Sequence, residues 1–435
     1  METMETTKTP DMPETSCLPP GFSETADQGI IDSEDRFGAH HYERIAMVAR
    51  RAKGCWIYDQ NNNRYLDCLA AYSAANPGHH HPVIAKAVMD AVQGGYASVL
   101  SNVVYTDALG IFLKKMGQFA PQMAPRFGNN GNKVLPKNGG VESVETAIKA
   151  MRYYGYKQKG IKDGHQEIIV FNNNFHGRTI SVVSFSTSEK YRQGFGPLTP
   201  GFVSVPFGDI QAVERAINKN TCGILVEPIQ GEGGIRIPPK GFLAGLRKVC
   251  DDKNLLLVCD EIQVGLGRTG RRFCFEHDNI VPDGVILGKA LSGGLVPLSV
   301  FITNAHIMDL VFSKGSDGST FGGYPLACVA GTAGLKVFED EALDRRSRKK
   351  GDILKQRILT IAHASPHVKE VRGKGLFIGI EVKNGNAMAF CRQLLDLGII
   401  VNDSHGHTIR ISPPLVINDQ ELDFLVERLE RVLVG

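Results

Sequence analysis

The stretch Leu255-Leu256-Leu257-Val258-Cys259-Asp260-Glu261-Ile262-Gln263 sets the reading of the fold. Its apolar run without alternation describes a core strand of a parallel sheet, covered on both faces. The run stops at a carboxylate, Asp260, and further along Lys289 stands in Leu287-Gly288-Lys289-Ala290-Leu291. A buried carboxylate can hold a pyridine nitrogen protonated, and an amine on a nearby loop can condense with an aldehyde as a Schiff base. The pairing therefore suits pyridoxal phosphate. The same residues also suit an ordinary core strand with an acidic end, followed by a surface lysine.

At 435 residues the chain is long enough for two domains, or for one large domain with a smaller companion. Hydrophobic content of 42%, charged content of 22% and a net charge of +3 argue against disorder and give no reason to expect nucleic acid. Nine cysteines run from Cys17 to Cys391 with no C-x-x-C pair, so neither a disulfide framework nor a zinc site is indicated and a reducing compartment fits. No apolar run approaches the ~18 residues that cross a bilayer. The first 36 residues are rich in Glu, Asp, Thr and Pro and lack the marks of a secretory or mitochondrial leader. A flexible tail over residues 1–36 and a cytoplasmic location are the expectation.

Beyond the tail, Cys55-Trp56-Ile57-Tyr58-Asp59 and Arg64-Tyr65-Leu66-Asp67 predict hairpin strands joined by an Asn-rich turn, and a helix begins near Pro82. Between residues 134 and 300, apolar runs such as Glu167-Ile168-Ile169-Val170-Phe171 and Cys222-Gly223-Ile224-Leu225-Val226 alternate with helical patterns. That alternation predicts an α/β fold with a mostly parallel sheet covered by helices. The pattern breaks near residues 321–325, where a smaller α+β domain begins. Its last helix starts at Asp419, with Leu422, Leu425, Val426, Leu429 and Leu433 on one face.

Gly265-Leu266-Gly267-Arg268-Thr269-Gly270 matches the dinucleotide fingerprint G-x-G-x-x-G, but residues 260–263 separate it from the strand and no helical pattern follows. A better anion site is Lys137-Asn138-Gly139-Gly140-Val141-Glu142, because Val141, Val144, Ile148 and Met151 then recur at helical spacing. Backbone N–H groups at a glycine-opened helix start can bind phosphate, aided by the helix dipole. A plain turn before an amphipathic helix would look the same.

Six segments in order now resemble the class III, fold-type I aminotransferases, from about Gly38 to the C-terminus. They are Gly78-His79-His80-His81-Pro82, Phe175-His176-Gly177-Arg178-Thr179, Glu227-Pro228-Ile229-Gln230-Gly231-Glu232-Gly233-Gly234, Asp260-Glu261-Ile262-Gln263, Gly288-Lys289-Ala290-Leu291-Ser292-Gly293-Gly294 and Gly318-Ser319-Thr320-Phe321-Gly322-Gly323. Within the class, Gly38-Ala39-His40-His41-Tyr42, Ala71-Tyr72-Ser73-Ala74 and Ile409-Arg410-Ile411-Ser412-Pro413-Pro414-Leu415 are most similar to the ornithine-using branch.

The resemblance implies a homodimer with active sites shared at the subunit boundary, small-molecule amino acid and 2-oxo acid substrates, and pyridoxal 5'-phosphate in the large domain. It implies an N-terminal segment over 37–75 packing with the small domain, a large domain over 76–325 and a small domain over 326–435. Lys289 is then the Schiff-base lysine and proton shuttle, Asp260 pairs with the ring nitrogen, Gln263 approaches the ring hydroxyl and Phe175 stacks on the ring. Amides of Gly140 and Val141, with the Thr320 hydroxyl from the partner subunit, hold the phosphate. Arg178, helped by Tyr42 and Tyr72, binds one substrate carboxylate. Arg410 binds the second, and Glu232 covers Arg410 while ornithine reacts. The reaction implied is ornithine δ-transamination to glutamate 5-semialdehyde and glutamate.

Two positions depart from the ornithine pattern. Gly139 replaces a hydroxyl residue usual in the phosphate loop, removing one potential hydrogen bond of about 0.5–1.5 kcal/mol. His176 stands where the ornithine-using enzymes often carry tryptophan, and Phe175-His176-Gly177-Arg178 instead resembles the acetylornithine and 4-aminobutyrate relatives, while Tyr72 points back to ornithine. These relatives are the alternative enzymes, and a non-catalytic cofactor-binding regulator is the alternative of another class. His79, His80 and His81 are structural rather than metal ligands, because consecutive side chains diverge. Cys259 is a core residue and the basic run at 345–350 a solvated helix face.

Overall fold

The computed structural model describes residues 27–45, 47–96 and 98–435. Of the tail expected over 1–36, residues 1–26 lie outside the described residues, and Asp27–Phe37 form an α-helix. The described residues divide into two compact units, one running up to residue 50 with 58–63 and one of residues 51–57 and 64–435.

In the second unit, seven strands build the central sheet: β1 (Asn132–Lys137), β2 (Glu167–Phe171), β3 (Phe202–Val205), β4 (Thr221–Val226), β5 (Leu256–Asp260), β6 (Gly284–Leu287) and β7 (Ser299–Asn304). Their order is β3-β2-β4-β5-β6-β7-β1. Strands β3 to β6 pair in parallel, and β7 runs antiparallel to both β6 and β1. This is the mostly parallel sheet that the apolar runs predict.

The runs do not alternate because both faces are dry. Ile169, Ile224, Leu257, Cys259 and Val285 point into one buried cluster, while Ile168, Val170, Leu225, Val258 and Ile286 point into another. Helix Phe242–Lys253 packs on the first face through Phe242, Leu243 and Leu246, and Gly140–Gln158 covers the second through Val144, Ile148 and Met151.

The C-terminal part carries a sheet of Val368–Lys374, Phe377–Val382, Thr408–Ile411 and Asn402–Ser404, neighbours in that order. Trp56–Tyr58 and Arg64–Asp67 are neighbouring strands, and Ile399–Ile400 pairs in parallel with the second of them. The last helix is Asp419–Leu433, with all five expected leucine and valine positions buried. Asn418 caps it, accepting from the Glu421 N–H at 2.9 Å while the Glu421 carboxylate accepts from the Asn418 N–H at 2.8 Å. One apolar cluster runs from Leu257 and Val285 through Ile378 to Leu425, so the two sheets share a core.

The glycine-rich segment 265–270 serves packing. Arg268 is fully buried and donates to the Leu376 carbonyl at 2.9 Å, the Pro413 carbonyl at 2.6 Å and Asn76 Oδ1 at 2.5 Å. A short 3₁₀ turn, Cys274–Asp278, follows it in place of the long helix a dinucleotide site requires. The histidines diverge as expected: His79 Nε2 meets Asp67 at 2.7 Å and His81 Nε2 meets Glu341 at 2.8 Å. Among the described residues no group of three or more His, Cys, Asp or Glu side chains could hold a metal ion, and no helix is long and apolar enough to cross a membrane.

Candidate active site

The candidate residues Asp260, Lys289, Phe175 and Gly140 gather where ligands bind in open α/β sheets, beyond the carboxyl ends of the parallel strands. Asp260 is the last residue of β5 and Glu227 directly follows β4; residues 172–178 leave β2, Lys289 lies two residues past β6, and Gly139–Gly140 follow β1. Lys289 has φ 46°, a left-handed conformation that a non-glycine residue keeps only when its surroundings impose it.

Three glycines let the backbones close in. A Cβ on Gly140 would lie 2.9 Å from Ile262 Cδ1, and one on Gly177, at φ 127°, would lie 2.4 Å from Val141 Cγ2. At Gly288 it would come within 3.6 Å of both Gly140 Cα and Ile262 Cγ2, so the lysine loop, the helix start and the segment after β5 meet. Helix Gly140–Gln158 opens at this point, and the Glu142 carboxylate takes the Gly139 N–H at 2.6 Å. The Gly140 and Val141 amides occupy the first turn, where no intrahelical acceptor exists. Ser299 Oγ donates to the Gly139 carbonyl at 2.8 Å and ties the opening to β7.

Asp260 Oδ1 accepts from the Ile262 N–H at 3.0 Å, and Oδ2 meets His176 Nδ1 at 2.7 Å with both side chains buried. Burial opposes an imidazolium at His176, but the Asp260 hydrogen bond and charge, with the Glu227 charge, raise its pKa. Burial pushes Glu227 up to about 8, and its carboxyl accepts the Phe175 N–H at 3.0 Å. His176 thus works as the partner of Asp260, a role hidden when it is read only as a family marker. Glu227, to which the sequence alone gives no role, holds the backbone of Phe175.

Burial, with a contribution from Arg410, lowers the Lys289 amine to about 8, against the pull of Glu232 and Asp260. At pH 7 that leaves about a tenth of the amine neutral and nucleophilic, far more than an ordinary lysine offers. Arg410 is fully buried, its Nη1 donates to Glu232 Oε1 at 2.8 Å, and Gln263 Nε2 reaches the same oxygen at 3.1 Å. Burial works to raise Glu232, yet the Arg410 charge and hydrogen bond bring it down to about 2. Arg410 Nε and Nη2 and Gln263 Oε1 are buried without a hydrogen-bond partner. A Cβ at Gly231 would fall 1.3 Å from Gln263 Oε1, so glycine there leaves Gln263 its place.

The Tyr72 ring lies under Arg410, with the guanidinium carbon 5.1 Å from its centroid. Arg178 is exposed, its guanidinium carbon 4.1 Å over the Tyr191 ring and 5.5 Å over Phe175. Thr320 is exposed on the loop after Ser319, whose Oγ accepts from Asn138 Nδ2 at 3.0 Å. Tyr42 belongs to the N-terminal unit, where its exposed ring packs against His41.

The family model of the class-III aminotransferases matches residues 37–433. The chain belongs to that family. Ornithine aminotransferase 2 of Staphylococcus aureus is 46% identical over 408 residues, which cover 94% of this chain and 99% of that protein. The solved ornithine aminotransferase of Toxoplasma gondii superposes with a TM-score of 0.88 at 34% identity, covering 94% of this chain and 95% of that one. The acetylornithine aminotransferase of Elizabethkingia anophelis gives 0.84 at 38% identity, covering 94% and 99%.

A class-III aminotransferase is a pyridoxal-phosphate-dependent enzyme of fold type I, and the cluster fits that cofactor. It offers a carboxylate at a strand end, a buried amine of lowered pKa, the orphaned Gln263 Oε1 and a glycine-lined helix start, the donor set that a ring nitrogen, aldehyde, ring hydroxyl and phosphate require.

Proposed function

We propose that the chain is an L-ornithine:2-oxoacid δ-aminotransferase, converting L-ornithine and 2-oxoglutarate to L-glutamate 5-semialdehyde and L-glutamate in two half-reactions at one site. The observation that carries this reading is the Glu232–Arg410 pair at 2.8 Å, closed over a fully buried arginine. Ornithine brings an amine and no second carboxylate to that wall, so Arg410 needs a partner of its own; an unpaired buried cation costs about 3–5 kcal/mol. A dicarboxylate brings its own partner, and the unpaired Nε and Nη2 of Arg410 are donors for it. The names of the relatives above support the same assignment.

The bound cofactor supplies the aldehyde that takes up an amino group and a cationic ring that accepts negative charge. Asp260, steadied by His176, keeps the ring nitrogen cationic; Gln263 approaches the ring hydroxyl, Phe175 covers the ring face, and Gly140 and Val141 hold the phosphate. The Lys289 amine moves the proton at the substrate carbon. Arg178 and Tyr72 orient the substrate. Thr320 reaches the phosphate of a partner copy in a homodimer with shared sites. The N-terminal segment over 37–75, the large domain over 76–325 and the small domain over 326–435 belong to the same proposal. So does cytoplasmic residence, which the eight unpaired buried cysteines among the described residues favour. A product that cyclises to pyrroline-5-carboxylate would link arginine breakdown to proline.

The resemblance to an acetylornithine aminotransferase and the Phe175-His176 pair favour N-acetylornithine as a second donor. Initial rates of glutamate formation from ornithine, N-acetylornithine and 4-aminobutyrate test both readings. Ornithine should be fastest and its product should be trapped by 2-aminobenzaldehyde; ornithine as the slowest of the three would refute the assignment.

A further inference from the structure

Tyr72 reaches Arg410 through a backbone that no glycine eases. Ala70, Ala71, Tyr72 and Ser73 have φ of 48°, 46°, 58° and 75°, a left-handed turn of four side-chain-bearing residues. Asp67 holds its entrance, its Oδ1 accepting from the Leu69 N–H at 2.9 Å and the Ala70 N–H at 2.8 Å. Strain of this kind is kept where a side chain must be aimed. The far end of the ring is fixed by a residue outside every motif: Asn402 Nδ2 donates to the Tyr72 hydroxyl at 3.1 Å.

The Asn402 amide has one workable orientation. Its Oδ1 accepts from the Asp403 N–H at 3.0 Å, and turning the amide over would set two donors against each other. Tyr72 therefore receives a hydrogen bond from Asn402 and keeps its own hydroxyl hydrogen for another acceptor. Asn402 is also the cross-strand partner of Arg410, and two residues on, Ser404 Oγ donates to the Glu232 carbonyl at 2.6 Å. The strand Asn402–Ser404 thus touches Tyr72, Arg410 and Glu232 together.

We infer that Asn402 is a positioning residue for dicarboxylate recognition: it sets the Tyr72 hydroxyl as a hydrogen-bond donor toward the carboxylate that Arg410 binds. This rests on reading Arg410 as the site for a second substrate carboxylate, and not on ornithine as the donor. Asn402→Asp reverses the arrangement, because a carboxylate takes the Tyr72 hydrogen for itself and adds negative charge beside the arriving anion.

The test is a double-mutant cycle on the holoenzyme, read by isotope exchange between glutamate and 2-oxoglutarate, which involves no ornithine. Asn402→Ala should raise the KM for 2-oxoglutarate roughly 3- to 10-fold, the size of one neutral hydrogen bond, with kcat changed less than about twofold. Tyr72→Phe should do the same, and the double variant should be no worse than Tyr72→Phe alone. Asn402→Asp, isosteric with the parent, should raise KM at least as much and carries the cycle if the alanine variant does not fold. Additive effects in the double variant, or a fall in kcat at constant KM, would overturn the inference. A chain that preferred N-acetylornithine would leave it standing while removing the ornithine assignment.

Discussion

Replacing Glu232 by alanine should split the two half-reactions in opposite directions. The substitution removes the carboxylate bonded to Arg410, whose Nε and Nη2 already lack partners and which is fully buried. The fall of the Glu232 carboxyl from about 4.5 to about 2 measures how strongly its surroundings favour the charged form, and corresponds to about 3 kcal/mol. The Glu232 side chain is 29% exposed, so some water replaces the lost partner, and destabilisation should fall at the low end of the ~3–5 kcal/mol typical of a broken buried pair. A dicarboxylate no longer has to displace Glu232. Its KM should drop about 10-fold, since desolvating the incoming carboxylate consumes part of the ~100-fold that about 3 kcal/mol allows. Ornithine meets an uncompensated cation near its ammonium end, and its kcat/KM should fall about 10- to 100-fold. Single-turnover absorbance of the holoenzyme, mixed separately with ornithine and with glutamate, reads each half-reaction. Equal losses in both would show that Glu232 is a general support rather than a cover for Arg410. Glu232→Gln, keeping the shape without the charge, should lie between parent and alanine.

Lys289→Met should abolish transamination, yet the cofactor-free variant should be more stable than its parent at pH 7 by up to about 3 kcal/mol. The folded-state amine titrates near 8, below the ~10.4 of an unfolded chain, so below pH 8 the parent must carry a desolvated charge; the advantage should fade between pH 8 and 10.4, and urea unfolding at several pH values checks the sign. Gly231→Ala should cost about 1–3 kcal/mol in thermal denaturation, because the new Cβ displaces the end of Gln263 and comes within 3.3 Å of the buried Phe377 ring. Equilibrium dialysis should nevertheless show weaker pyridoxal phosphate retention, since Gln263 must leave both Glu232 and the ring; unchanged retention would remove Gln263 from the cofactor site.

Much of the cofactor site is legible in the sequence because its parts are local. Asp260 ends a strand whose apolar run reports burial on both faces, and Gly139 and Gly140 open a helix whose buried face recurs at 3.6-residue spacing. The role of His176 is different. Its partner Asp260 lies 84 residues away, and only the parallel pairing of β2, β4 and β5 brings the two strand ends together. Nor could propensity foresee the left-handed turn at 70–73. Alanine, tyrosine and serine disfavour that conformation, and the bonds that impose it come from Asp67 and the surrounding fold.

The sequence by itself determined the sheet type, the helix that opens on glycine, and the carboxylate and amine that make amino-group transfer chemistry possible. The sheet and the helix follow from periodicity, and Asp260 and Lys289 are singled out by the resemblance of their segments to the family. Tertiary structure decided how the proposed second carboxylate site is built. Glu232 and Arg410 are 178 residues apart and Tyr72 and Asn402 are 330 apart, and they meet through strand register and one strained turn. Hydrogen bonds and ion pairs act over a few ångströms, so those contacts exist only once the core has fixed the positions of its strands.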